Sequence, residues 1–128
     1  MIFGIGTDIV SVQRMRRNLE RYGERFARRI LTDRELEEFR AAARPENFLA
    51  KRFAAKEAAA KAMGTGFSGG LSLRHIGVAH DASGKPLLML SGYAEQFVRH
   101  HRITETHLSI ADEKEQAVAF VTLVDGVH

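Results

Sequence analysis

Asp8 stands in a run of glycine and apolar residues, Phe3-Gly4-Ile5-Gly6-Thr7 before it and Ile9-Val10 after it. A carboxylate in such surroundings must be compensated by a cation or by hydrogen-bond donors. Taken alone it reads as well as an aspartate at a strand end that caps the next helix. Glu57 lies in Phe53-Ala54-Ala55-Lys56-Glu57-Ala58, with Lys61 four residues on and Gly64-Thr65-Gly66 just beyond. That spacing puts Glu57, Lys61 and the glycine loop along one helix face. By spacing alone a surface ion pair worth a few tenths of a kcal/mol is the better account. Taken jointly, the residues have a chemical logic. A magnesium ion takes oxygen ligands and often uses only one or two carboxylates beside substrate phosphates, which Asp8 and Glu57 could supply. Lys61 would balance phosphate charge, and backbone N–H groups around Gly64, Thr65 and Gly66 would bind phosphate oxygens. The order is helix then glycines, so this is no Walker-type loop. His107 and Ser109, two apart in an expected strand, share a face and could meet one ligand, although a histidine bonded within its own neighbourhood is equally in keeping. His75, His80, His100, His101 and His128 show no ligand spacing and are assigned to surface or packing. A zinc site is disfavoured.

The elements that must carry these residues follow from periodicity. Phe3 to Val12 reads as a buried strand whose glycines permit close backbone approach. Val12, Met15, Leu19, Tyr22 and Phe26 recur at helical steps to about Arg29, with Gly23 weakening the middle. Thr32 and Glu35 form a capping box that opens a short helix to about Ala43, and Pro45 ends it. Glu46 to Met63, rich in alanine, lysine and glutamate, is the strongest helix, capped by Gly64. Leu71 to Ala79 and Pro86 to Leu90 read as a hairpin about an Asp81–Lys85 turn. A helix from Ser91 or Gly92 to about His101 follows, then a closing strand pair at His107–Ile110 and Ala117–Leu123. This order predicts an α+β domain with a mainly antiparallel sheet and packed helices.

The bulk properties narrow the function classes. The 128 residues suit one domain, 1–128, with a core that needs no staples. The lack of cysteine excludes disulfides, thiolate metal sites and a cysteine nucleophile. No signal peptide and no run long enough for a membrane span is visible, so a cytoplasmic protein without membrane contact is expected. Net charge is only +3, yet Arg14, Arg16, Arg17, Arg21, Arg25, Arg28 and Arg29 crowd one segment, opposed locally by Glu20 and Glu24. Such a block suits an acidic partner, though a solvated helix face is its commonest meaning.

Taken together, Gly4-Ile5-Gly6-Thr7-Asp8-Ile9-Val10, Arg52-Phe53-Ala54-Ala55-Lys56-Glu57-Ala58-Ala59-Ala60-Lys61-Ala62-Met63-Gly64-Thr65-Gly66, Gly84-Lys85-Pro86 and His107-Leu108-Ser109-Ile110 resemble the ordered motifs of the holo-[acyl-carrier-protein] synthases, small members of the 4'-phosphopantetheinyl transferase family. The resemblance spans nearly the whole chain. It implies a homotrimer with active sites between subunits, and transfer of 4'-phosphopantetheine from coenzyme A to a carrier serine in fatty acid biosynthesis. It further implies magnesium held by Asp8 and Glu57, and coenzyme A near Lys61, Gly64, Thr65, Gly66, His107 and Ser109, with Arg52 and Phe53 supporting the pocket. The arginine-bearing segment, with Arg14, Arg21, Arg25 and Arg29, aligns with the surface that receives the acidic acyl carrier protein; Met15 and Phe26 are apolar anchors there. Asp8, Glu57 and Lys61 would be the catalytic group, the general base being Glu57, Asp8 or a bound water.

Two rival readings stand beside it. A basic, non-catalytic module that binds nucleic acid or protein explains the arginines but gives no reason for Asp8 and Glu57. A trimer that kept the fold and lost activity is opposed by the intact Asp8, Glu57 and Lys61. The expected partners are therefore coenzyme A and a carrier protein, not nucleic acid.

Overall fold

The computed structural model describes residues 1–126; His128 lies outside them. The chain runs β1 (Ile2–Ser11), α1 (Val12–Tyr22), α2 (Glu24–Ile30), α3 (Asp33–Arg40), α4 (Pro45–Met63), a short 3-10 turn (Leu73–His75), β2 (Ile76–His80), β3 (Pro86–Leu90), α5 (Gly92–His100), β4 (Ile103–Asp112) and β5 (Gln116–Asp125). Both sheets are antiparallel, one of three strands in the order β1-β5-β4 and one formed by β2 and β3. The α+β architecture with packed helices is the one expected.

The strands of the larger sheet alternate cleanly. Val10, Ala117, Ala119, Val121, Leu123 and Leu108 are buried, and the register pairs Gly6 with Val121, Asp8 with Ala119 and Val10 with Ala117. Directly paired residues share a face, so Gly6, Asp8 and Val10 look inward. The other face carries Ile5, Thr7 and Ile9, paired with Thr122, Phe120 and Val118.

Helix α4 lies on the inner face. Pro45 opens it at the first turn, where a missing N–H costs nothing, and Gly64 closes it with φ 81°, a left-handed conformation suited to glycine. Its buried residues fall on all sides, with Leu49, Ala50, Ala54, Ala55, Ala58, Ala59, Ala60 and Ala62 wholly or nearly sealed from solvent. The alanines and the β1 glycines let helix and sheet approach backbone to backbone. A Cβ at Gly4 would overlap the Ala62 carbonyl oxygen, and one at Gly6 would overlap that of Ala58.

Several boundaries differ from expectation. Residues 71–75 are not strand: the Ser72 hydroxyl accepts from Arg74 N–H while His75 Nδ1 accepts from Ser72 N–H, winding a 3-10 turn before β2 begins at Ile76. Pro45 does not end the third helix, which stops at Arg40; it starts the fourth. Gly23, at φ 64°, divides the arginine segment into α1 and α2 as its position suggested.

Candidate active site

Asp8 projects from the inner face of β1 towards α4, and Lys61 meets it. The lysine Nζ donates to Asp8 Oδ1 at 3.0 Å and to the Thr7 carbonyl at 3.0 Å. Glu57 sits one helical turn before Lys61, on the same side. Burial pushes the Glu57 carboxyl above its ordinary range, and the charge of Asp8 pushes it further; Lys61 and Arg14 offset part of this. The expected Glu57–Lys61 surface pair is therefore replaced by a three-residue group, with Lys61 ion-paired to Asp8 and two carboxylates that repel. Two half-buried carboxylates with surplus negative charge suit a hard divalent cation that would draw further oxygen ligands from a substrate. Among the described residues there is no group of three or more histidine or acidic side chains that could hold a metal ion.

The loop after α4 carries Gly64, Thr65 and Gly66. Gly64 N–H caps the helix on the Ala60 and Lys61 carbonyls at 3.1 and 3.0 Å, so it is not free for phosphate as expected. The Thr65 hydroxyl donates to Gly66 O, and the Ser68 hydroxyl to Thr65 O.

His107 and Ser109 do share a face, but it is the outer one. They pair with Thr122 and Phe120 of β5, which pair in turn with Ile5 and Thr7. The sheet thus stands between them and Asp8, Glu57 and Lys61, and a single chain does not bring the two groups together. His107 Nε2 lies 3.1 Å from Glu105 Oε2 on the same strand. Around these residues Ile5, Ile9 and Phe120 are 61%, 60% and 52% exposed, a large apolar surface facing water.

Arg52 is placed away from this group. Its guanidinium donates to Glu35 Oε2 at 3.3 Å, Glu38 Oε2 at 3.4 Å and the Val78 carbonyl at 3.1 Å, and stacks over Phe48. Its donors are committed on another side of α4, so any support it gives the site runs through the helix. Phe53 is half-buried, with the Arg14 guanidinium 6.0 Å from its ring centre. The charge of Arg14 also acts on Glu57.

Of the expected carrier contacts, Met15 is corrected. It is 0% exposed and part of the core, because its step on α1 points at α4 rather than at solvent. Phe26 remains half-buried and lines a surface groove with Tyr22, Arg25 and Arg29, while Arg21 stacks on Tyr22 at 5.3 Å. Periodicity had assigned Tyr22 to the core stripe, yet it is exposed. The signal was Gly23: a helix that ends there no longer holds its last aromatic to the stripe.

A second ionic group was missed. Glu35 is the capping-box residue of α3, accepting from Thr32 N–H at 2.9 Å, and it also accepts from Lys56 Nζ at 2.6 Å, Arg52 and Val78 N–H. Lys56 is 0% exposed and donates in addition to the Leu73 and Ile76 carbonyls at 3.1 and 2.6 Å. Burial drives the Glu35 carboxyl up, but the Lys56 charge and hydrogen bond, with the Thr32 and Val78 amides, outweigh it and leave the group below its ordinary value. Burial also pulls the Lys56 ammonium down against the opposing effect of Glu35. Three acceptors for three N–H donors favour the charged form. A lysine within an alanine-rich helix was the only hint of this group in the sequence, and it does not name Glu35.

Comparison with known proteins gives a consistent family. Residues 4–121 match the model of the 4'-phosphopantetheinyl transferase superfamily. A holo-[acyl-carrier-protein] synthase of Nitrosococcus oceani is 59% identical, over 97% of this chain and 80% of its own length. The crystal structure of the Neisseria meningitidis holo-[acyl-carrier-protein] synthase superposes with a TM-score of 0.93 at 49% identity, covering 98% of this chain and 100% of that one. A Bacillus anthracis holo-(acyl-carrier-protein) synthase in complex with CoA (3',5'-ADP) gives 0.82 at 39% identity, covering 98% and 99%.

Proposed function

This chain belongs to the 4'-phosphopantetheinyl transferase superfamily, and from that premise we propose that it transfers 4'-phosphopantetheine from coenzyme A to a serine of an apo acyl carrier protein. The observation that carries the reading is the meeting of Asp8, Glu57 and Lys61 between β1 and α4. The serine oxygen bonds to the β-phosphorus of coenzyme A while the bond from that phosphorus to the bridging oxygen breaks. Adenosine 3',5'-bisphosphate departs, and the serine proton is taken up at the carboxylate site. Asp8 and Glu57 would hold magnesium, which when bound supplies charge neutralisation at the pyrophosphate. Lys61, fixed by Asp8 and the Thr7 carbonyl, places a positive charge where negative charge accumulates. Thr65 and Gly66 border the phosphate site from the end of α4. The whole chain acts as one transferase domain in the cytoplasm, where coenzyme A is found.

The carrier docks on α1 and α2. Arg21, Arg25 and Arg29 offer charge to an acidic surface, the Tyr22–Phe26 groove accepts an apolar side chain, and Arg14 lies nearest Glu57. The assembly is a homotrimer, three being the number the family resemblance implies. The outer sheet face, with Ile5, Ile9 and Phe120 open to solvent, is the surface a neighbouring copy covers. His107 and Ser109 then fall at the seam between subunits, where they reach coenzyme A held by a neighbour.

The test is intact-mass analysis of an apo fatty-acid carrier protein after incubation with this protein, coenzyme A and magnesium. A gain equal to phosphopantetheine, lost with chelator and with Glu57→Ala, is expected. No gain on any carrier would refute the assignment; normal transfer by the Glu57→Ala variant would refute the role of Glu57.

A further inference from the structure

We infer that Lys56, Glu35 and Arg52 are positioning residues that set the rotation of α4 about its own axis and so aim Glu57 and Lys61 at Asp8. The inference rests on the transfer reading above. Successive helix residues are turned by about 100°, so α4 presents three separate rows of residues four apart. Arg52 and Lys56 face α3 and β2, Glu57 and Lys61 face Asp8, and Ala58 and Ala62 face the β1 glycines.

An ordinary helix is held in rotation by its apolar stripe. This one has no single stripe: between Leu49 and Met63, buried near its two ends, every buried apolar residue is an alanine, and these fall on all sides. Alanines of one size make neighbouring rotations nearly equivalent in packing. The ionic row removes that degeneracy. Lys56 reaches acceptors on three segments at once, Glu35 of α3, Leu73 of the 3-10 turn and Ile76 of β2. Glu35 also accepts from Arg52 and from Val78 N–H. Directional bonds from one row to three fixed elements admit one rotation.

The sensitivity is large. With side chains about 5–6 Å from the helix axis, a turn of about 20° carries a carboxylate about 2 Å, more than a catalytic constellation tolerates. Buried ion clusters are often replaceable by apolar residues without loss of stability, and a register function is their best-attested use.

The test is the double variant E35Q/K56M. Thr32 and Val78 N–H meet different oxygens of Glu35, so the glutamine keeps an acceptor for one of them, and the methionine keeps roughly the volume of the lysine it replaces. Melting temperature, calorimetric titration of magnesium with coenzyme A, and steady-state kinetics with carrier are compared with the unaltered protein. A fold of similar melting temperature, metal binding weakened about tenfold or more, turnover reduced about tenfold to hundredfold and an unchanged KM for carrier are expected. The last follows because the arginine face belongs to α1 and α2. Unchanged metal binding and turnover in a folded variant would overturn the inference. Should E35Q/K56M not fold, K56M alone decides by the same readouts, because it removes the three Lys56 bonds while Glu35 keeps Arg52 and the Thr32 and Val78 N–H groups. If the unaltered protein neither binds coenzyme A with magnesium nor modifies a carrier, the transfer reading fails instead.

Discussion

Replacing Gly6 with alanine tests whether the β1 glycines set the geometry of the site. The new Cβ would overlap the Ala58 carbonyl oxygen and lie 2.6 Å from Ala62 N, where ordinary contact begins near 3.4 Å. Both obstacles are backbone, so no side chain can turn aside. Relief requires α4 to withdraw from β1 by about 1 Å or more. Overpacking of this kind costs about 1–3 kcal/mol, which for a chain of this length lowers the melting temperature by about 4–12 °C. The larger effect is on chemistry. Asp8 is two residues along the same inward face of β1, while Glu57 and Lys61 ride on α4, so withdrawal separates the pair joined at 3.0 Å. A misplacement of about 1 Å can cost about a hundredfold in rate. Differential scanning calorimetry and a mass-based transfer assay read the two effects, with folding verified by circular dichroism. A G6A protein with unaltered melting temperature and turnover would refute the argument that close backbone approach builds this site.

Charge reversal by R25E/R29E should raise KM for an acidic carrier about tenfold or more and leave KM for coenzyme A unchanged; equal effects on both would remove that surface from docking. Met15→Ala should behave oppositely, losing about 2–4 kcal/mol in denaturant titration with carrier KM unaffected, because Met15 is fully buried. The Glu35 carboxyl is held below its ordinary value in the folded state. Its stabilisation is therefore present above the unfolded carboxyl pKa of about 4.3 and lost as pH falls from there through the lower folded value. Melting temperatures across that acid range should fall more steeply for the unaltered protein than for Glu35→Gln, and parallel curves would contradict the pairing. Ile9→Asp with Phe120→Asp on the outer sheet face should yield a folded monomer without transfer activity by light scattering and mass assay; an intact oligomer would place the interface elsewhere.

Much of this molecule was legible in its residues alone. The capping box at Thr32 and Glu35, the alanine-rich helix closed by Gly64 and the break at Gly23 depend on local chemistry, so neighbours in sequence suffice to specify them. The alternation of Gly4 and Gly6 announced a close packing partner, and the two-residue period of β1 put Asp8 on the same side as those glycines. The i,i+4 spacing put Glu57 and Lys61 on one helix face.

Tertiary structure decided what period and composition leave degenerate. Strand alternation puts His107 and Ser109 on one face but does not say which, and pairing with β5 sends them outward. An apolar helical step does not distinguish Met15, covered by α4, from Tyr22, left open where α1 stops. A lysine beside a glutamate in α4 carries no mark of its partner, and Lys56 found Glu35 twenty-one residues earlier, on a different helix. Local signals settle conformation because they are short-ranged. Which charge meets which carboxylate depends on how alanine-sided surfaces rotate against each other, and that is settled only when the whole chain closes on its core.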